Sequence, residues 1–258
     1  MNIDKISSFQ RILQRYTNSG LSNDAFPVNT HRSLHVTKAP YSSENKSYTC
    51  RALRVTWSGE LGWELHIPSS NAIQVYRALR TASGLTNGGW RALTSLSMEK
   101  VSYHLWNTDL RTDDNPVEAN LAFTCRKNGD YFGNEFVTKA KVEGVTKKYA
   151  YFTLDEKIPI YGQEAIYRNG EVVGYLRRGD YAFHLDKPIG VGYVTNKGNK
   201  VTLDYLSEGI YEIEVMGKRY KAACYPKSPF DPTGQRLLGN YGDMGMDENT
   251  LTKYVILT

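Results

Sequence analysis

Two carboxylates and two tryptophans lie within residues 57–66, around two glycines. Apolar and polar residues alternate on both sides of the glycines, and this period of two predicts the strands of a hairpin. In such a hairpin, Glu64 and His66 project from the face opposite to Trp63 and Leu65. A carboxylate accepts two parallel N–H bonds, and an aromatic ring packs on the face of the group that carries them. The stretch therefore predicts a site for a flat heterocycle with a guanidine-like edge, such as a pterin or a purine.

The same residues also have a plain structural interpretation. A glutamate on a strand is commonly solvated, and tryptophans are commonly part of a core. The spacing of Glu64 and the tryptophans leaves both interpretations open.

Apolar spacing predicts three helices, one before the hairpin and two after it, over residues 6–20, 69–84 and 90–106. A serine, Ser69 or Ser70, is expected to cap the second of them. Between the first helix and the hairpin, polar residues 37–50 predict an extended surface loop. The second helix is expected to turn four side chains inward, namely Ala72, Ile73, Tyr76 and Leu79. The third helix is expected to turn inward the side chains of Leu93, Leu96, Val101 and Leu105.

From residue 149 onward, short apolar strands alternate with turns, and the dipeptide Asn169-Gly170 is a strong signal for a two-residue hairpin turn. Residues 174–181 are expected to form an internal hairpin, and residues 201–203 a strand. This spacing predicts a barrel of about six strands. The fold class is therefore α+β, with an antiparallel sheet and packed helices followed by a small all-β C-terminal barrel. The expected divisions are a first domain over residues 1–144, the barrel over residues 145–242, and a tail over residues 243–258.

The composition limits the partners that this chain can bind. The net charge of +5 is dispersed, whereas a nucleic-acid site needs a dense basic stripe. Three cysteines without metal-ligand spacing predict reduced core thiols and no metal site. The longest apolar runs are too short for a membrane span, and the first residues carry no recognisable targeting signal. The expected partner is a small molecule, with neither nucleic acid nor membrane.

Four separated motifs point to a known family: residues 59–66, 95–100, 113–125 and 227–232 read GELGWELH, SLSMEK, DDNPVEANLAFTC and KSPFDP. In this order they resemble the folate-binding part of the aminomethyltransferase (glycine cleavage T-protein) family. The resemblance is strongest to the members that are sarcosine dehydrogenases, with dimethylglycine dehydrogenases as further relatives. It runs colinearly from about residue 9 to about residue 241.

The resemblance implies particular residues at a folate site. Glu64 matches the pterin-contacting glutamate of the family, and Trp57 falls where the family has an aromatic residue that packs against the folate. Glu60 belongs to the same motif, with turn formation as its alternative role. Arg177 and Arg178, in the predicted barrel, are candidates for contacting the carboxylates of a folate, with exposed strand arginines as the alternative. For Glu99 and Lys100 in the second motif, a solvated pair and a functional pair are equally open interpretations.

The function implied by the family is binding of tetrahydrofolate, which accepts the one-carbon unit of oxidised sarcosine to form 5,10-methylenetetrahydrofolate. No catalytic residue is assigned, because the catalytic aspartate of the family is expected upstream of this chain. No G-x-G-x-x-G fingerprint follows a strand, so FAD is expected only from an upstream domain or a separate chain. The family implies a mitochondrial matrix location. The alternatives are a non-catalytic folate-binding or regulatory module, similar to the pyruvate dehydrogenase phosphatase regulatory subunit, and an aminomethyltransferase fragment.

Overall fold

The structure is a computed structural model that describes residues 8–37, 47–81, 86–100, 102–127 and 129–240. The chain divides into two compact units. Residues 1–93 and 234–243 form the first unit, and residues 94–233 and 244–258 form the second. The predicted domains divide differently, because residues 94–144 group here with the barrel and residues 234–240 with the first unit. A domain boundary near residue 144 stays a prediction.

The first unit is built on a three-stranded antiparallel sheet with the strand order β1-β2-β3. Its elements are α1 (Ser8–Arg15), β1 (His31–Val36), β2 (Tyr48–Leu53), β3 (Glu64–His66), α2 (Ser69–Arg80) and the beginning of α3 (Trp90–Met98). On one face of the sheet, Leu34 lies opposite Cys50, and Ala52 lies opposite Leu65. This face covers the core of the unit. The core contains Leu13, Leu21, Phe26, Leu34, Val36, Cys50, Ala52, Leu61, Trp63 and Val75.

The predicted hairpin is present with shorter strands than expected. β2 ends at Leu53, which lies opposite Glu64, so the turn is a ten-residue connection over residues 54–63 rather than a tight bend. Residues 48–50, expected in a surface loop, belong to β2, and residues 38–46 of that loop lie outside the described part of the chain.

The second helix differs from its prediction in three ways. Val75 and Ala78 are its buried residues, whereas Ile73 and Tyr76 are exposed, so the inward face is rotated from the predicted one. Pro68 precedes the helix at the cap position, and no side chain caps it. The predicted end at Gly84 lies outside the described residues, and α2 ends at Arg80.

The second unit contains a closed six-stranded barrel with the strand order β4-β7-β6-β5-β8-β9. Its elements are the remainder of α3, α4 (Asn134–Glu143), β4 (Lys147–Leu154), β5 (Ala165–Arg168), β6 (Glu171–Ala182), β7 (Lys187–Thr195), α5 (Leu203–Ser207), β8 (Tyr211–Val215) and β9 (Lys218–Tyr225). Side chains such as Phe152, Ile166, Leu176 and Ile213 fill the interior. The α+β class and the C-terminal barrel are thus confirmed.

The turn between β5 and β6 shows why the Asn-Gly signal succeeded. Asn169 and Gly170 both have positive φ, 50° and 82°, as a two-residue turn matched to strand twist requires. The predicted internal hairpin at residues 174–181 is wrong, because β6 runs through it as one strand with an irregular register between Leu176 and Arg178. Such a bulge bends a strand without reversing it.

Two further sequence predictions fail in the second unit. Residues 201–203 form no strand, because Thr202 caps α5 by accepting a hydrogen bond from the Tyr205 N–H at 3.1 Å. The third helix ends at Met98 rather than Trp106, and Leu93, its last residue in the first unit, was expected inside but is 38% exposed. None of the helices in the described ranges has the length and apolar character of a membrane span.

Candidate functional site

Glu64 opens β3 at the end of the sheet, and two side chains hold its carboxylate. The Trp57 indole N–H donates to Oε1 at 2.9 Å, and His66 Nε2 lies 3.4 Å from Oε2. Trp57 reaches this position because Leu61 and Trp63 fix the connection between β2 and β3 in the core. The carboxylate is therefore oriented within its own unit, while 37% of the Glu64 side chain stays exposed.

The carboxylate retains the capacity to bind a ligand. An ionised carboxylate offers about four lone-pair sites on its two oxygens. Trp57 uses one site on Oε1 and His66 one on Oε2, which leaves one on each oxygen. A bidentate pair with two parallel N–H donors needs one acceptor site on each oxygen. Glu64 is thus suited to a guanidine-like edge, as its sequence pattern predicted.

An exposed aromatic surface lies beside this carboxylate. Trp57 is 59% exposed and Trp90, at the start of α3, is 63% exposed. Their ring centroids are 6.5 Å apart, with an angle of 58° between the ring planes. Exposed apolar surface rimmed by polar groups is typical of binding sites. Sequence reasoning missed Trp90, although its position after Gly88-Gly89 at a helix start was the available signal.

Trp63, the second tryptophan of the motif, is a core residue. It is 8% exposed, and its ring centroid lies 6.3 Å from that of Phe26. The guanidinium of Arg54 lies over the Trp63 ring at 4.6 Å and donates to Asn23 at 2.9 Å and to the Leu237 carbonyl at 3.0 Å. The plain structural interpretation therefore holds for Trp63 and not for Trp57.

Glu60 lies in the connection between β2 and β3, next to Gly59. Gly59 has a φ of 74°, a conformation that favours glycine, so the turn at this part of the connection depends on that glycine. One Glu60 carboxylate oxygen is buried, unlike the half-exposed carboxylate of Glu64. The turn-forming role fits this position, and a folate contact of Glu60 stays a prediction.

Arg177 and Arg178 are buried in the second unit, so the interpretation as exposed strand arginines is wrong. Arg177 Nη2 lies 3.3 Å from Asp114 Oδ1, and Arg178 Nη2 lies 2.7 Å from Asp109 Oδ2. A ligand carboxylate would have to compete with a buried protein carboxylate for Nη2 of either residue. This argues against the predicted contact with folate carboxylates.

The Asp114 carboxylate explains part of the third motif. It accepts from Lys147 at 2.8 Å and from the Arg111 backbone N–H at 2.8 Å, besides pairing with Arg177. Burial would raise the pKa of Asp114, but the Lys147 and Arg111 hydrogen bonds and the two cationic charges bring it below its usual value. Glu118 Oε2 lies 3.3 Å from Lys147, so two carboxylates and two cations balance. Asp114 and Glu118 of this motif therefore belong to an internal ion network.

The second and fourth motifs meet in the second unit. Glu99 and Lys100 are fully buried, so the interpretation as a solvated pair is wrong. Glu99 accepts from the backbone N–H of His184 at 2.8 Å, and its other oxygen lies 2.6 Å from His184 Nδ1. The Ser228 hydroxyl donates to the Glu99 carbonyl at 2.5 Å, and Lys100 forms a β-bridge with Asp231. The two motifs therefore hold each other together.

The second unit also has a wide cleft of about 910 Å³. It is lined by residues 112–116, 124–126, 131–133 and 136–137, and Phe132 and Phe136 are strongly exposed. None of the predicted site residues lines it. Within the described ranges, no group of three or more His, Cys, Asp or Glu side chains is arranged to hold a metal.

Two models of one family match most of the chain. The GCVT N-terminal domain matches residues 8–129, and the glycine cleavage T-protein C-terminal barrel domain matches residues 147–231. Among solved structures, the chain resembles the glycine cleavage system aminomethyltransferase T from Bartonella henselae. The TM-score is 0.60 at 21% identity, over 67% of this chain and 48% of that one, which supports the fold alone.

Curated relatives agree with these matches. The chain is 43% identical to the mitochondrial sarcosine dehydrogenase of Homo sapiens over 89% of its length, which is 25% of that protein. It is 30% identical to the mitochondrial dimethylglycine dehydrogenase of Homo sapiens over 88% of its length, again 25% of that protein. The chain thus spans about a quarter of these relatives. With both domain models matched in order, it belongs to the glycine cleavage T-protein (aminomethyltransferase) family.

Proposed function

We propose that the first unit binds tetrahydrofolate, with Glu64 holding the pterin. The observation that carries this proposal is the carboxylate of Glu64, which Trp57 and His66 orient and which stands beside two exposed indoles. A reduced pterin presents an amino group and a ring N–H on one edge, which matches the two free acceptor positions. Its ring face can cover the indole surface that water contacts in the free protein.

We further propose that the chain is the folate-binding portion of a sarcosine dehydrogenase-like protein. In that role tetrahydrofolate receives the one-carbon unit of oxidised sarcosine and leaves as 5,10-methylenetetrahydrofolate. The contribution of Glu64 and Trp57 is to orient the pterin, and holding one reactant in place is a large part of such catalysis. The oxidation requires FAD, which we assign to an upstream domain or a separate chain. The relatives support a mitochondrial location.

A second candidate is a non-catalytic module. The chain is 33% identical to the mitochondrial pyruvate dehydrogenase phosphatase regulatory subunit of Mus musculus over 70% of its length, which is 22% of that protein. A regulatory module has no need of an oriented Glu64, so ligand binding separates the two candidates.

Thermal melting with and without tetrahydrofolate tests the proposal. At 100 times its Kd, a ligand stabilises a folded binder by about 2.7 kcal/mol. We expect a rise in the melting temperature of the first unit with tetrahydrofolate and a much smaller rise with p-aminobenzoylglutamate, which lacks the pterin. Equal melting temperatures in the presence and absence of tetrahydrofolate would favour the regulatory module.

A further inference from the structure

The buried state of Arg177 and Arg178 leaves the anionic end of the proposed ligand without a partner. Tetrahydrofolate carries two carboxylates on its glutamate, at the opposite end of the molecule from the pterin. A carboxylate of this kind is usually recognised by an arginine with free N–H donors. A cation that binds these carboxylates is therefore expected in the first unit, which holds Glu64.

Glu64 stands on the solvent-facing side of the three-stranded sheet. Because strand residues alternate between faces, β1, β2 and β3 place every second side chain on that side. The register arranges these side chains in three rows across the strands. The rows are His31-Leu53-Glu64, Ser33-Arg51-His66 and His35-Thr49.

Among the described side chains of the three rows, Arg51 is the one arginine or lysine. It lies opposite His66, whose imidazole contacts the Glu64 carboxylate at 3.4 Å. Its side chain is exposed and has no hydrogen bond or ion pair to any described residue. The other strand arginine, Arg32, donates to the Ala25 carbonyl and stacks on Phe26 at 4.3 Å. Of the two, Arg51 alone has its donors available.

The spacing of the rows suits a ligand that runs along the strands. Consecutive rows are two residues apart, which is about 7 Å. On a course from Glu64 toward the second row, a bound folate would carry its p-aminobenzoyl group past Arg51, whose long side chain can reach beyond its own Cα. Among the described side chains of the three rows, Glu64 is the one carboxylate, so no second acid opposes an anion near Arg51.

From this arrangement we infer that Arg51 binds the glutamate carboxylates of the folate and that His66 separates this anionic subsite from the pterin subsite at Glu64. The inference rests on the proposed function, because it assumes that Glu64 holds the pterin. It assigns the specificity for a folate over a simple pterin to one residue of β2.

Two ligands with the same ring test this assignment. Calorimetry compares tetrahydrofolate with 6-methyltetrahydropterin, which lacks the p-aminobenzoylglutamate. We expect Arg51→Gln to weaken tetrahydrofolate binding about tenfold, through loss of a charge-assisted pair, and to leave 6-methyltetrahydropterin binding unchanged. Arg51→Lys keeps the charge and should retain part of the preference. Arg15→Gln, at an exposed arginine of α1, is the control and should change neither affinity.

The outcomes separate the two proposals. If Arg51→Gln weakens the binding of both ligands equally, or does not weaken the binding of tetrahydrofolate, the assignment of Arg51 is overturned. Neither result affects the proposal that Glu64 holds the pterin. If neither ligand binds the unchanged protein, the proposed function fails and the assignment of Arg51 fails with it. Raising the salt concentration should weaken tetrahydrofolate binding to the unchanged protein more than to Arg51→Gln, because an exposed ion pair is screened.

Discussion

Replacing Arg178 by methionine is expected to destabilise the second unit by about 3 to 5 kcal/mol, because the change leaves Asp109 as an unpaired buried charge. Arg178 pairs with Asp109 at 2.7 Å and donates to the Ser97 hydroxyl at 2.8 Å and to the Thr94 carbonyl at 3.1 Å. Burial raises the pKa of Asp109, and the Arg178 charge opposes that rise. Urea unfolding followed by circular dichroism measures the loss.

Two further variants make the Arg178 prediction specific. Adding Asp109→Asn to Arg178→Met removes the stranded charge and should recover part of the lost stability. Lys197→Met breaks the exposed pair with Glu171 at 3.3 Å and serves as the matched control, with a much smaller effect. A loss no larger for Arg178→Met than for Lys197→Met would show that Arg178 is not part of the buried framework.

The two tryptophans of the first motif should separate into a stability residue and a binding residue. Trp63→Ala is expected to cost about 3 to 5 kcal/mol of the stability of the first unit, because it removes a buried ring. Trp57→Ala removes a ring that is 59% exposed, so we expect little change in stability. It should instead weaken the binding of tetrahydrofolate roughly tenfold, because it removes both the stacking surface and the N–H that orients Glu64.

Urea unfolding and calorimetry on the same two tryptophan variants check this division. Trp63→Phe, which keeps an aromatic ring, should lose less stability than Trp63→Ala. The assignment of roles is contradicted if Trp57→Ala unfolds the unit or if Trp63→Ala is stable and binds no folate.

Local signals in the sequence predicted the elements that depend on neighbouring residues. The Asn169-Gly170 turn and the strands of the barrel follow from backbone preferences and from the alternation of side chains. Glu64 was predicted for the same reason, since its position on the exposed face of β3 follows from a period of two. These features need no information about distant parts of the chain.

Features that depend on distant partners could not be predicted in this way. Glu99 and His184 are 85 residues apart in the sequence, yet they contact each other, and nothing local distinguishes a buried Glu99 from a solvated one. Arg178 and Asp109 are likewise far apart in the sequence and contact each other in the structure. The face of α2 was mistaken because apolar residues such as Ile73 and Tyr76 also occur on its exposed side, so the periodicity did not define one inward stripe.

The affinity of tetrahydrofolate for the unchanged protein and for Glu64→Gln, measured by calorimetry, tests the central claim most directly. Glutamine keeps the shape of the side chain but loses the charge and one acceptor, so we expect binding to weaken by about 1 to 3 kcal/mol. Glu143→Gln, at an exposed glutamate of α4, is the control and should bind like the unchanged protein. Equal affinities for the unchanged protein and Glu64→Gln would contradict the assignment of the pterin to Glu64.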